Sequence, residues 1–379
     1  MPVEIREVRS RSDAKRFIDI PFEIYKGNRY WVPPLKAGDI KSLFPETNPA
    51  FDFCKAKFWL AFEKGRCMGR IGAIINEAYN TKTGEKMARF SRLEFFDNAE
   101  VVSTLIAVAE AWAKENGCIG IHGPLGFANL DTQGMLVEGF DHLQAVGSVY
   151  HQEYYHKHLE KLGYLKEIDW VEFRLTLGQQ AVEKANRGAA LIQKRYGIEV
   201  AHFKTMDELL PYSDIIFKIL NDAFSELPFV TEFTPRMMAF YKDKYIKLLN
   251  PEFVKMVKLK GELVGFVVGL PSLSEALQKA KGRLFPFGFL HILKARKHSD
   301  PKMAGEGVVE QLLTGVKKEV MSTGAGVILM AELQKEMVNK GMKYIETTGI
   351  FETNTNAISN WKNYEHIQHK RKRCYRKMF

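Results

Sequence analysis

The sequence predicts a mixed α/β (α+β) protein of two similar units, each a mixed, mostly antiparallel central sheet flanked by helices. Three observations predict this. A glycine-turned hairpin occurs twice, at Lys64-Gly65 and again 196 residues later at Lys260-Gly261, and in each copy a further glycine follows four residues on, at Gly69 and Gly265. An opening strand and a helix precede each hairpin. The stretch Glu310 to Gly341 then reads as strand, glycine-bearing turn and helix in unbroken succession. Repetition on this scale indicates a duplicated unit, and 379 residues are more than one ordinary core fills. The join falls near Gly178 to Arg195, giving an N-terminal domain over residues 1–180 and a C-terminal one over 190–379.

Val3 to Val8 alternate as a first strand, and Ser12-Asp13 are expected to cap a helix carrying Ala14, Phe17 and Ile18. Prolines make the next stretch extended or turning, at Tyr30-Trp31-Val32-Pro33-Pro34-Leu35 and Asn48-Pro49-Ala50-Phe51, with aromatics that pin it to the sheet. The first hairpin follows over Phe58 to Ile75. The turn Arg92 to Glu100 has no glycine. Asp97, Asn98 and Glu100 cap the helix that begins at Val101 and place negative charge where an anion would otherwise sit, so no anion is expected there. Gly123-Pro124 and Gly139-Phe140-Asp141 are turns or line a substrate. His151, His156 and His158 lack a second coherent ligand set and are expected at the surface.

In the second half, Gly197 to Phe203 is a strand, a helix runs from Met206-Asp207, and Val254 to Pro271 forms the second hairpin. An insertion, Gly282 to Lys297, is apolar and then basic. In the final stretch Leu312, Thr314 and Val316 alternate as a strand, while Val327, Met330, Ala331 and Val338 repeat at helical spacing until Gly341. Between them, Gly324 and Gly326 let the backbone turn and approach a ligand closely. The free N–H groups of the first helical turn suit an anion such as a pyrophosphate. No G-x-x-x-x-G-K-[ST] and no G-x-G-x-x-G with an acidic residue about twenty positions on is present, which argues against ATP-loop and dinucleotide readings.

Met321-Ser322-Thr323-Gly324-Ala325-Gly326 resembles the acyl-CoA loop of the GNAT acyltransferase superfamily, usually Gln/Arg-x-x-Gly-x-Gly/Ala. Both glycines match, and Met321 stands where the family places Gln or Arg. Asn354 to Trp361 resembles the family's Asn-x-x-Ala-x-x-x-Tyr helix, with Trp361 in place of a tyrosine often used as general acid. An indole cannot make that transfer, and Tyr364 is the nearest candidate. Forms of W-V-P-P-L, N-P-x-F, G-R-I-x-A, G-P and L-V-x-G-F-D occur in an order similar to that of bacterial tandem GNAT-like proteins, mostly of unassigned function. The resemblance covers nearly the whole chain. It implies acyl-CoA or acetyl-CoA as co-substrate, with no metal. The main chain of Leu313, Thr314, Gly315 and Val316 would pair with pantetheine. Met321, Ser322, Thr323, Gly324, Ala325, Gly326 and Val327 would cradle the phosphates, with Asn354 beside the thiol end and Lys317 and Lys318 adding charge. Glu310, Glu346 or Glu352 would relay the proton of an amine.

A formal charge of +10 and a pI near 9.2 fit an acyl-CoA, an acyl carrier protein, an anionic membrane surface or nucleic acid, the last without any recognised reader module. The runs Lys370 to Arg373 and Lys294 to Lys297 read as solvated basic faces. No apolar run approaches eighteen residues and the first residues are too polar for a signal peptide, so a cytoplasmic protein is expected, with a peripheral place on the inner face of the membrane as a sharper alternative. Cys54, Cys67, Cys118 and Cys374 are scattered, as reduced buried thiols would be. Together these features predict acyl transfer from acyl-CoA or an acyl carrier protein to an amine at the C-terminal unit. One alternative is a catalytically silent GNAT-like protein that binds a ligand or partner, suggested by Met321 and Trp361. Another is a membrane-associated long-chain N-acyltransferase acting on a lipid amine, suggested by the Leu284 to Lys297 insertion.

Overall fold

The computed structural model describes residues 2–245, 248–297, 307–359, 361 and 364–379. Fourteen strands appear among them: β1 (Glu4–Glu7), β2 (Cys54–Glu63), β3 (Arg66–Asn76), β4 (Met87–Phe95), β5 (Gly120–Gly123), β6 (Met135–Glu138), β7 (Leu165–Thr176), β8 (Ile198–Ala201), β9 (Val254–Leu259), β10 (Glu262–Pro271), β11 (Val308–Val316), β12 (Tyr344–Thr347), β13 (Ile350–Phe351) and β14 (His366–Met378). All join one mixed sheet in the order β1-β2-β3-β4-β5-β14-β7-β12-β11-β10-β9-β8, with β13 beside β7 and β6 beside β14.

Local chemistry fixes the two hairpins. Lys64 and Gly65 have φ of 50° and 77°, and Lys260 and Gly261 have 52° and 81°. Two successive left-handed residues make the turn whose twist matches that of the flanking strands. Glu63 then faces Arg66, and Leu259 faces Glu262. In each half the hairpin is followed by one antiparallel strand (β4, β11) and then a parallel one (β5, β12).

Each half is closed by the other's last strand. β14 lies between β5 and β7, and β7 pairs on its far side with β12. The basic run of β14 is therefore not a solvated face. Strand alternation sends Lys370 and Lys372 to one side, where both are buried against Glu172, and Arg371 and Arg373 to the other, against the buried Asp169. Buried carboxylates need such partners, which is where these cations are used.

The helix Ala99–Glu115 covers the first half's core with Val102, Leu105, Ala109 and Trp112, and Ala325–Asn339 covers the second with Ile328, Leu329 and Leu333. Near the join the chain is an 18-residue helix, Gln179–Tyr196, packed on Ala325–Asn339. The first helix, Arg11–Ile24, is capped by Ser10 rather than Ser12, because Ser10 and Asp13 exchange backbone hydrogen bonds as a capping box. His151 is buried, not at the surface. Its Nδ1 accepts from Leu136 N at 3.1 Å, and burial drives its pKa down to about 3. All four cysteines are buried and free.

Candidate active site

β11 runs beside β12 only from Val308 to Gln311, and Leu312 to Val316 then diverge from it. The last bridge is Thr348 Oγ1, which donates to Gln311 O at 3.1 Å. Beyond it the main chain of Leu313, Thr314, Gly315 and Val316 pairs with β10 on one side and is not paired with β12 on the other. The strand leads through a 3-10 turn, Lys318–Thr323, into the helix Ala325–Asn339.

Gly324 starts that helix at φ 86°, and no side chain among the described residues caps it. A Cβ on Gly326 would meet nothing within 4 Å, so the cradle is open. Ala325 is buried, while Met321, Ser322 and Val327 are exposed at its rim and Thr323 is tied to Val320 O at 2.7 Å. The first-turn N–H groups and the dipole behind them suit phosphate oxygens. Lys317 and Lys318 are paired with Glu262 and Glu226, which offsets their charge.

Glu310 and Glu346 are register partners at the point of divergence. Glu310 is wholly buried. One oxygen accepts from Gly147 N at 3.3 Å, and Oε1 has no partner among the described residues. Burial pushes its pKa up to about 7. Glu346 adds to that, while the Val146 and Gly147 N–H groups and Lys370 oppose it. Glu346 is held by Arg174 Nε at 2.9 Å and lies 3.6 Å from His369 Nε2. Burial takes His369 down to about 4, so its ring is neutral near pH 7.

The Gly147 loop belongs to the first half. Ser148 Oγ donates to Glu172, whose other neighbours are Lys372 at 2.9 Å and Lys370 at 3.9 Å, and Lys370 Nζ donates to Leu143 O at 2.6 Å. Glu172, His369, Lys370 and the loop were missed in the sequence. The available signal was the pair of acids, Asp169 and Glu172, inside the stretch Ile168 to Leu175, whose one other charge is Arg174, with the basic run Lys370 to Arg373 in need of partners.

The other expected site residues each have partners of their own. Glu352 is bound to Lys166 at 2.7 Å and Arg371 at 3.2 Å. Tyr364 donates to Gln334 Oε1 at 3.0 Å on the cradle helix, and burial raises its pKa. Asn354 caps the helix Thr355–Ser359 by accepting from Ala357 N at 3.1 Å. Trp361 is buried, and Asn360 lies outside the described residues.

The first half repeats this geometry and fills it. Its strands part after Arg89 and His122, which hold the places of Glu310 and Glu346. Arg89 is spent on carbonyls, donating to Gly126 O and Phe229 O at 3.0 Å each. Tyr154 donates to Phe95 O at 2.6 Å, and Phe95 N donates to Tyr155 Oη at 3.1 Å, so two phenols occupy the strand end. Asn98 caps the following helix by accepting from Glu100 N and Val101 N. Asp97 does not cap it but bonds His158 at 2.7 Å.

No protein-family model matches the chain. It is 26% identical to Protein YghO of Escherichia coli (strain K12) over 98% of this chain and 95% of that one. It is 28% identical to a bacterial ceramide synthase of Caulobacter vibrioides (strain NA1000 / CB15N) over 98% and 96%. Among solved structures it is similar to a tandem GNAT protein from the clavulanic acid biosynthesis pathway, at TM-score 0.55 and 12% identity over 99% of this chain and 98% of the other. A probable N-acyltransferase from Enterococcus faecalis V583 aligns at TM-score 0.52 and 8% identity over 100% and 73%. Duplicated hairpins, two diverging parallel pairs and these likenesses agree on one architecture: the chain has the tandem GCN5-related N-acetyltransferase (GNAT) fold.

Proposed function

We propose that the chain is an N-acyltransferase whose β11/β12 opening takes an acyl thioester, acyl-CoA or an acyl carrier protein, and passes the acyl group to an amine. The observation that carries this reading is Glu310, a buried carboxyl with a pKa of about 7 where the two strands part. In this reading the second unit, residues 190–379, holds the thioester. The first, residues 1–180, has a degenerate cofactor turn and completes the site with its Val146–Ser148 loop.

The main-chain edge Leu313–Val316 that β12 leaves unpaired suits the amides of pantetheine, and the stretch from Ser322 to Val327 suits the pyrophosphate. The amine nitrogen attacks the thioester carbon and the C–S bond breaks. Ionised Glu310 takes the amine proton, and the leaving thiolate gains a proton from Tyr364 or water. A base with a pKa near the working pH is well matched to that step. Glu346, fixed by Arg174, keeps Glu310 from ionising too early.

A sharper form has a lipid amine as acceptor. It is supported by the name of the Caulobacter relative and by the apolar cluster at Leu312, described below. The silent-binder reading draws on exposed Met321 and on Trp361, which has no hydroxyl. The test is single-turnover transfer from acetyl-CoA and palmitoyl-CoA to a panel of amines. Glu310→Gln should cut the rate by about 10²–10⁴-fold while leaving thioester affinity intact. In the unaltered protein kcat/KM should rise with pH and level off above about 7. Thioester binding without turnover on any amine would favour the silent binder.

A further inference from the structure

Between β10 and β11 the chain makes a projection of two helices, Ser274–Ala280 and Gly288–Lys297. Its inner face is well packed. Ala276, Leu277, Ile292 and Ala295 share one apolar cluster with Leu270 and Leu273, against which Leu143, Val146 and Leu312 also pack. That packing therefore runs without a break from the strand opening to the surface helix. The projection is also tied to the first half: Lys36 N donates to Gly282 O at 3.1 Å, and Gln278 Nε2 donates to Arg29 O at 2.9 Å and Trp31 O at 3.0 Å.

Its outer face is different. Phe285 is 77% exposed, Phe287 69%, Leu293 45%, Leu290 44% and Leu284 36%. These make a dense cluster of large apolar side chains in water, within positions 284–293. Close to them in the sequence are the exposed cations Lys279, Lys281, Arg283 and Lys294; Glu275, the single acid between Ser272 and Lys297, lies 3.9 Å from Lys279, whose side chain stays 59% exposed. Beside the projection opens a cavity of about 560 Å³, lined in part by Arg29, Tyr30, Leu143, Lys279 and Lys281, with Glu275 at its wall. The side chains of Arg296 and Lys297 lie outside the described ones. No helix among the described residues is long and apolar enough to cross a membrane.

We propose that this projection seats the protein on an anionic bilayer, with Phe285, Phe287, Leu290 and Leu293 entering the interface and Lys279, Lys281, Arg283 and Lys294 meeting lipid phosphates. Exposed apolar side chains interspersed with exposed cations are the pattern that such a surface selects, by buried apolar area together with charge. A second copy of this chain fits poorly, because a two-fold contact would set these cations against their identical mates. Seated this way, the projection lies between the lipid and the cluster that packs on Leu312, two residues from Glu310, so an apolar chain of a membrane amine would meet an apolar flank beside the opening. That last consequence rests on the acyl-transfer reading, whereas the docking does not.

The experiment is flotation of the full chain with phosphatidylcholine vesicles made with and without phosphatidylglycerol. The unaltered protein should float with the anionic vesicles and much less with the neutral ones. Phe285→Ser with Phe287→Ser should weaken flotation by about tenfold or more. Lys279→Gln with Arg283→Gln should weaken it by roughly fivefold per charge at low salt. Melting temperature and the thioester-induced shift should not change in either variant, which separates lost docking from lost folding. The proposal is overturned if the unaltered protein does not float with anionic vesicles, or if the phenylalanine variant floats equally well. It is also overturned if sedimentation shows a dimer that the same variant dissociates. Flotation with no thioester-induced shift in any protein would support docking and count against acyl transfer.

Discussion

Replacing Glu310 by glutamine should make the protein more stable in base and leave it little changed in acid. The folded carboxyl titrates at about 7 against an ordinary value of 4.5, because burial penalises its charge. Between those pH values the folded state keeps a proton that the unfolded chain has released, so stability falls as pH rises and flattens above about 7. The interval corresponds to about 3 kcal/mol of differential stability. Glutamine imitates the protonated acid at every pH and is free of that loss. For a cooperative chain of 379 residues, about 3 kcal/mol is worth about 4 °C in Tm. The assay is a thermal melt of both proteins from about pH 4 to about pH 8. The Tm difference, Glu310→Gln variant minus unaltered chain, should grow by that amount across the range. A difference that is flat, or that shrinks with pH, would refute a buried, late-ionising Glu310 and with it the base assigned above.

Gly326→Glu should fold normally, because its Cβ meets nothing within 4 Å, yet weaken acyl-CoA binding by about tenfold or more in calorimetry by setting a carboxylate at the helix start. Gly324→Ala should lower stability by about 1–3 kcal/mol in denaturant melts, since φ is 86° and the new Cβ would sit 2.9 Å from Ile192 Cδ1. Tyr155→Phe should cost about 1–3 kcal/mol, measured the same way, by stripping partners from Phe95 N and the buried Glu94, with no effect on thioester affinity.

What the sequence disclosed was local. Lys64-Gly65 and Lys260-Gly261 announce their turns because the required φ values are properties of two residues. The Gly324 turn is equally legible, and Glu310 stands out by its place on the strand before its burial is known. What it hid depends on distant partners. Nothing near His366 says that its strand will join β5 of the other half, since either half offers an equivalent edge. The Lys370–Arg373 run looks solvated until Asp169 and Glu172 are placed opposite it. The filling of the first half's opening is half visible: Asn98 is a cap by residue type, whereas Tyr154 and Tyr155 arrive from nearly sixty positions away. His151 reads wrongly as a surface residue because its acceptor role towards Leu136 N is set only by the fold.

The exchange of β7 and β14 also constrains synthesis. During translation β1 to β5 can assemble as they emerge, but the strand that belongs beside β5 is His366–Met378. Until it is made, β5 has one open edge, and β7 waits with unpaired N–H and C=O groups on both sides, the kind of template that invites wrong partners. A chain cut between the halves carries the same open edges permanently, so its failure to bind or react would report a missing strand, not which half holds the chemistry.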